Sequence, residues 1–193
     1  MKSKQQMNTQ TTKRISKFLS LVLRHQPQTI GIELDSSGWV DVAVLLTAMN
    51  EHPAGKPLSA EVLDEVVTSN DKQRFEFSPD RKRIRARQGH SVDVDLGYQP
   101  ATPPETLLHG TPDRFVSSIR ASGLKKMKRH HVHMHVDTET SLSVGARRGK
   151  PVLLKIRAGE MHQSGHKFFV TENNVWLTDH VPPEFIDFPE GQA

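Results

Sequence analysis

Between Lys125 and Asp137 the chain reads KKMKRHHVHMHVD, four lysines or arginines and four histidines with only short apolar side chains among them. After Arg129 the pattern alternates: His131, His133 and His135 fall on one side, Val132, Met134 and Val136 on the other. A period of two belongs to a β-strand with one face in a core and the other toward something polar. Three imidazoles in a row on one strand face call for a partner, whether a metal, an anion or a flat aromatic ligand. Asp137 continues the histidine face and keeps a metal open, although the spacing matches no common zinc signature. The cations of Lys125, Lys126, Lys128 and Arg129 favour an anion or nucleotide.

Charge points the same way. A formal net charge of +4 and a pI near 9.4 suit an anionic partner such as a nucleotide or nucleic acid. The chain has no cysteine, which removes disulfides and thiol catalysis and fits a reducing, cytoplasmic compartment. The polar start and the lack of any apolar run near 18 residues predict neither a signal peptide nor a membrane span. At 193 residues, one large domain or two small ones are expected, and nothing demands more than a monomer.

The first half has helical texture. Residues 1–11 read as a disordered polar tail, and Thr12 as the cap of a helix. Ile15, Phe18, Leu19, Val22 and Leu23 recur there at three- and four-residue spacing. Lys13, Lys17 and Arg24 share another face. The helix should stop at Arg24-His25-Gln26-Pro27, because proline disfavours helical geometry in the residue before it; cations at that end are stabilised by the helix dipole. Asp41 and Ser59 are good caps for two further helices. RFEFS and KRIRAR around Ser78-Pro79-Asp80 predict a β-hairpin. Three helices and a hairpin make a winged-helix module. Arg83, Arg85 and Arg87 share one face of the second strand, which with Lys17 offers cations for a nucleic-acid phosphate backbone.

A strand fragment and a proline-rich linker, 99–105, follow. Beyond them come short strands at 106–109, 151–157, 168–171 and 175–178, and a helix around Phe115 to Ala121. His109-Gly110-Thr111 ends a strand and opens a turn, where glycine would let a ligand approach the backbone. Gly145 to Pro151 is a tight turn offering two arginines, and it lacks the spacing of a Walker loop. The expected class is α+β: a lobe at 12–98 and a β-rich lobe at 106–193.

The stretches SKFLSLVLRHQP, GWVDV, DKQRFEF with IRARQGHSV, LLHGT, RHHVHMH, GARRGKPVLL and NNVWLTDHVPPEF together resemble the RNA 2′-phosphotransferase family of the KptA type. The resemblance runs from about Ser16 to Phe188. It implies an NAD⁺-dependent transferase that removes an internal RNA 2′-phosphate of the tRNA splice-junction type. The phosphate attacks the nicotinamide-bearing ribose carbon, and the neighbouring hydroxyl then attacks the phosphate, giving 2′-OH RNA, nicotinamide and ADP-ribose 1″,2″-cyclic phosphate. By the same resemblance the second lobe is an ADP-ribosyltransferase-like split β-sheet, and no metal is needed.

The resemblance also assigns catalytic residues. Arg24, His25 and Arg74 would grip the 2′-phosphate, with Arg85 the rival for Arg74, and Arg147 would steady charge in the second step. For NAD⁺ it suggests His109, Gly110 and Thr111 at the adenosine-side ribose, His131 or His133 at the nicotinamide half, and Arg129 and Ser143 at the pyrophosphate. Guanidinium groups of both lobes are expected to converge. The region Glu172 to Trp176 puts an apolar residue where protein-modifying relatives carry a catalytic glutamate. Two departures stand out: His135 replaces an expected serine, and Arg148 an expected histidine. Two other readings stay open, an ADP-ribosyltransferase acting on nucleic-acid terminal phosphates and a metal-dependent phosphoesterase with a winged-helix domain.

Overall fold

The computed structural model describes residues 9–70 and 72–189. The chain separates after Gly97 into two compact units, each mixed in helix and strand.

In the first unit, α1 (Thr9–Val22), α2 (Val42–Glu51) and α3 (Ala60–Thr68) accompany a small antiparallel sheet. Its strands are β1 (Val40–Asp41), β2 (Phe75–Phe77) and β3 (Arg83–Ala86), in the order β1-β3-β2. Ile15, Leu19, Val22 and Leu23 are buried on the inner face of α1 and its terminal turn. They pack with Leu45, Met49, Leu63, Val66, Phe75 and Ile84 into one core. The spacing of apolar residues dictates which faces turn inward, and burial supplies the stability. Asp41 caps α2 by accepting from the Ala43 N–H, and Ser59 caps α3 by accepting from the Val62 N–H, as expected. The hairpin also forms, pairing Phe75 with Ala86 and Phe77 with Ile84.

Some expectations need correction. Thr9 to Thr11 are helical, so Thr12 lies inside α1 and caps nothing; the rest of the proposed tail, 1–8, lies outside the described residues. The α-helix closes at Val22, and Arg24 and His25 occupy the turn beyond it, ahead of a 3-10 turn at Pro27–Ile30. No strand forms between 88 and 97; the N–H groups of Ser91 and Val92 instead return to the Arg24 carbonyl, at 2.9 and 3.3 Å.

The second unit opens with β4 (Thr106–Pro112), α4 (Val116–Ser122), β5 (Leu124–Lys125) and β6 (Val132–Met134). Then come α5 (Thr138–Gly145), β7 (Pro151–Arg157), α6 (Ala158–Gln163), β8 (Phe169–Val170), β9 (Trp176–Thr178), β10 (His180–Val181) and β11 (Ile186–Asp187). They form antiparallel sheets ordered β11-β7-β4, β6-β9-β8 and β10-β5. The first two meet where Leu108 and His135 exchange backbone hydrogen bonds of 2.7 and 2.9 Å.

The alternation around the histidines holds only in part. Val132 and Met134 are buried, but the strand ends at Met134 and Val136 is 55% exposed. The cause is Asp137. Its carboxylate accepts from the Thr140 N–H at 2.7 Å and caps α5, so it starts a helix and does not extend the histidine face. His109-Gly110-Thr111 also differs from expectation, because β4 continues through Pro112. A Cβ on Gly110 would lie 1.6 Å from the Ser141 carbonyl oxygen of α5. Gly145 in turn rests on the backbone of Gly110 and Thr111. The two glycines let α5 lie directly on β4, so the close approach at Gly110 is made by the protein's own helix.

Candidate active site

The three residues singled out as a phosphate grip lie together in the first unit. The turn after α1 brings the Arg24 guanidinium to the Arg74 carbonyl, Nη2 to oxygen 3.3 Å, and over the Phe75 ring at 6.0 Å from its centre. Arg74 precedes β2, and its Nη1 donates to Asn70 Oδ1 at 3.1 Å, while Asn70 donates to Ser16 Oγ at 3.0 Å. Ser91 Oγ lies 2.9 Å from His25 Nδ1 and orients that ring. Because the Ser91 N–H also holds the Arg24 carbonyl, one serine fixes two neighbouring members of the group. All three side chains are half-buried. Two forked guanidiniums and an imidazole, each tethered, are groups that can pair with phosphate oxygens. Asn70 and Ser91 went unnoticed in the sequence; an asparagine just past α3 and a serine after a coil histidine carry no periodic signal.

The hairpin arginines are engaged within the unit. Arg85 pairs with Glu76 at 2.6 Å and stacks on Trp39 at 4.4 Å, and Arg87 lies 3.7 Å from the same carboxylate. Arg83 reaches Asp35 at 3.4 Å and also lies over Trp39. Lys17 is exposed on α1. Asp71, in the DKQRFEF stretch, lies outside the described residues.

In the second unit the histidines organise one another. His109 Nδ1 donates to the His133 carbonyl at 2.9 Å, and His133 Nδ1 donates to the His131 carbonyl at 3.0 Å. A carbonyl only accepts, so both rings carry their proton on Nδ1. His109 keeps some accessible surface, yet crowding desolvates its ring and holds its pKa below the usual 6.5. Positive charge at His135 and Arg129 adds to the shift, and the bond to His133 opposes it. His131 is lowered too, by burial first, against the pull of Asp179. It sits edge-on to Tyr98 and Phe169, ring centres 6.2 and 5.4 Å away. These aromatic neighbours were missed because neither belongs to the alternating stretch.

The remaining candidates differ in exposure. Gly110 and Thr111 are buried. Arg129 is exposed in a turn closed by its N–H to the Lys126 carbonyl, and Ser143 is exposed on α5. Arg147 is exposed in the 3-10 turn Ala146–Arg148 that follows α5, while the Arg148 side chain lies outside the described residues. Among the described residues no three His, Asp or Glu side chains come together as a metal site. No helix among them is long and apolar enough to cross a membrane.

Comparison with known proteins places this geometry in context. Residues 10–180 match the model of the RNA 2′-phosphotransferase, Tpt1/KptA family. A protein of Flavobacterium johnsoniae named "Probable RNA 2′-phosphotransferase" is 52% identical over 182 residues, 94% of this chain and 99% of the relative. A Rhodopirellula baltica protein of the same name is 54% identical over 90% of this chain and 94% of its own. One from Streptomyces coelicolor is 49% identical over 95% and 98%. With the match spanning both units and almost the full length of each relative, the chain belongs to the RNA 2′-phosphotransferase family.

Proposed function

We propose that the chain is an NAD⁺-dependent transferase that moves an internal RNA 2′-phosphate, of the kind left at a tRNA splice junction, onto NAD⁺. The observation that carries this reading is the tethered group of Arg24, His25 and Arg74. In this reading the first unit is a winged-helix lobe that binds RNA. Its three phosphate ligands hold the 2′-phosphate as it attacks the nicotinamide-bearing ribose carbon; nicotinamide leaves, and RNA stays joined through the phosphate to ADP-ribose. The adjacent ribose hydroxyl then attacks phosphorus, releasing 2′-OH RNA and ADP-ribose 1″,2″-cyclic phosphate. Arg147 stabilises the charge that develops in this second step. Each charge-assisted hydrogen bond contributes roughly 1.5–3 kcal/mol, so a few donors supply orders of magnitude.

The second unit, read as an ADP-ribosyltransferase-like lobe, is the partner for NAD⁺. Its side chains suit that ligand in charge and polarity. His109 and His131 are biased to the neutral form, and His131 presents its ring beside the aromatic edges of Tyr98 and Phe169, as ribose hydroxyls and a nicotinamide ring require. Arg129 and Ser143 offer exposed donors for the pyrophosphate. Gly110 and Thr111 are buried beside His109 on β4 and shape the strand that presents it. The substrate supplies its own nucleophile, so no catalytic serine or cysteine is needed.

The test is to incubate the chain with NAD⁺ and an RNA carrying one internal 2′-phosphate, with and without a chelator. Formation of the cyclic phosphate, nicotinamide release that depends on the 2′-phosphate, and indifference to chelation are expected. Nicotinamide release with a 5′-phosphorylated RNA but not the 2′-phosphorylated one would transfer the activity to terminal phosphates.

A further inference from the structure

We infer that Lys126, Met127 and Lys128, in the turn between β5 and β6, are a docking surface for single-stranded RNA that flanks the reacting nucleotide. The inference rests on RNA being the substrate.

Lys125, Lys126, Lys128 and Arg129 are all exposed, and in their midst Met127 is 83% exposed, more than any other large apolar side chain in the described core and surface. Met127 also has φ +55°, the left-handed region that an L side chain occupies at a cost. An apolar side chain held out in water and a strained backbone at one residue are two unfavourable features that packing does not explain. The turn is nevertheless firmly based. The Arg129 N–H closes it on the Lys126 carbonyl at 3.0 Å, β5 pairs with β10 on one side, and β6 pairs with β9 on the other. Lys126 Nζ lies 3.5 Å from Asp179 with both side chains largely exposed, and such a pair is weak.

A polyanion with flat faces complements this surface. Phosphates neutralise the lysines and release counterions, and the polarisable thioether of Met127 packs on a base. A structural role explains neither the exposed methionine nor its backbone. A solvated charged loop does not explain why the one non-cationic side chain in the run is apolar and projected outward.

The test uses the full chain and a labelled single-stranded 12-nucleotide RNA without a 2′-phosphate, with affinity measured against salt. Replacing Lys126 and Lys128 together by alanine should lower the slope of log affinity on log salt by about 1.4, two phosphates at roughly 0.7 each. Met127→Gly should weaken RNA binding about threefold while leaving thermal stability unchanged or raised, because glycine relieves the left-handed strain. It should leave binding to a base-free polyphosphate unchanged. Turnover of a 2′-phosphorylated dinucleotide should match wild type in both variants. Unchanged RNA affinity and slope would overturn the inference, as would wild-type protein that fails to bind the RNA. A raised KM for NAD⁺ with the dinucleotide in these variants would overturn it too, by assigning Lys126, Met127 and Lys128 to the dinucleotide site. So would Met127-dependent binding to anionic vesicles in place of RNA. RNA binding with the predicted dependence but no turnover by wild type would sink the proposed reaction and leave the docking surface standing.

Discussion

At the scale of single residues, the proposed chemistry separates into two steps with different arginines. Arg74 donates to Asn70 and lends its carbonyl to Arg24, so Arg74→Ala should weaken the hold on the 2′-phosphate and slow nicotinamide release at least tenfold, by roughly 1.4 kcal/mol or more. Arg147→Ala should leave nicotinamide release standing and let ADP-ribosylated RNA accumulate; loss of release with no accumulating RNA adduct would remove Arg147 from the second step. His109 makes a thermodynamic prediction. Its folded pKa lies below the unfolded 6.5 because burial disfavours the imidazolium. Below that pH the unfolded chain takes up a proton that the folded chain refuses, so stability falls as pH drops through 6.5 and stops falling below the folded pKa. His109→Gln should flatten the stability profile between pH 7 and 5, by at most about 1.4 kcal/mol per pH unit. Denaturant titrations of both proteins across that range decide it. The residues proposed for the site were named from motifs in the sequence; their supports were not. Ser91 and Asn70 act through single side-chain bonds that only a folded backbone brings together.

At the scale of elements, legibility tracked apolar periodicity. α1, α2, α3, the hairpin and β7 carry regular apolar spacing or good caps, and all were readable. α5 was not, because TETSLSVG contains few apolar residues and several weak helix formers. What holds α5 is the Asp137 cap at one end and its contact with β4 along its length, the latter a property of the fold. Tertiary context there overrides propensity. The prediction that follows concerns Gly110, where an added methyl group would collide with the Ser141 carbonyl and force α5 off the strand. Gly110→Ala should therefore cost more than about 3 kcal/mol, in the range reserved for gross steric conflict, and chemical denaturation should show it. Gly145→Ala meets its nearest atoms at 3.0 Å, so its cost should be smaller. Equal costs at the two positions would mean that the helix, and not one carbonyl, sets the constraint.

At the scale of the molecule, the two cores share no residue. One is built from Ile15 to Ala86 and the other from Leu107 to Ile186. The chain between them passes through Gly97, exposed and at φ +67°, with nothing near its missing side chain. A chain ending at Gly97 keeps the whole first core, its caps and its hairpin, and it keeps Arg24, His25, Arg74, Asn70 and Ser91 with their mutual bonds. It lacks Arg147 and the histidine cluster. Such a fragment should fold cooperatively on its own, with a helical circular dichroism spectrum and a single thermal transition. If the three tethered side chains are the phosphate grip, it should also bind a 2′-phosphorylated oligonucleotide about tenfold or more tighter than the unphosphorylated strand, the margin expected from even one charge-assisted hydrogen bond. Arg74→Ala in the fragment should erase most of that margin, and the fragment should release no nicotinamide from NAD⁺. A folded fragment that binds both strands equally would show that Arg24, His25 and Arg74 do not recognise the phosphate by themselves, and would move that recognition to residues beyond Gly97.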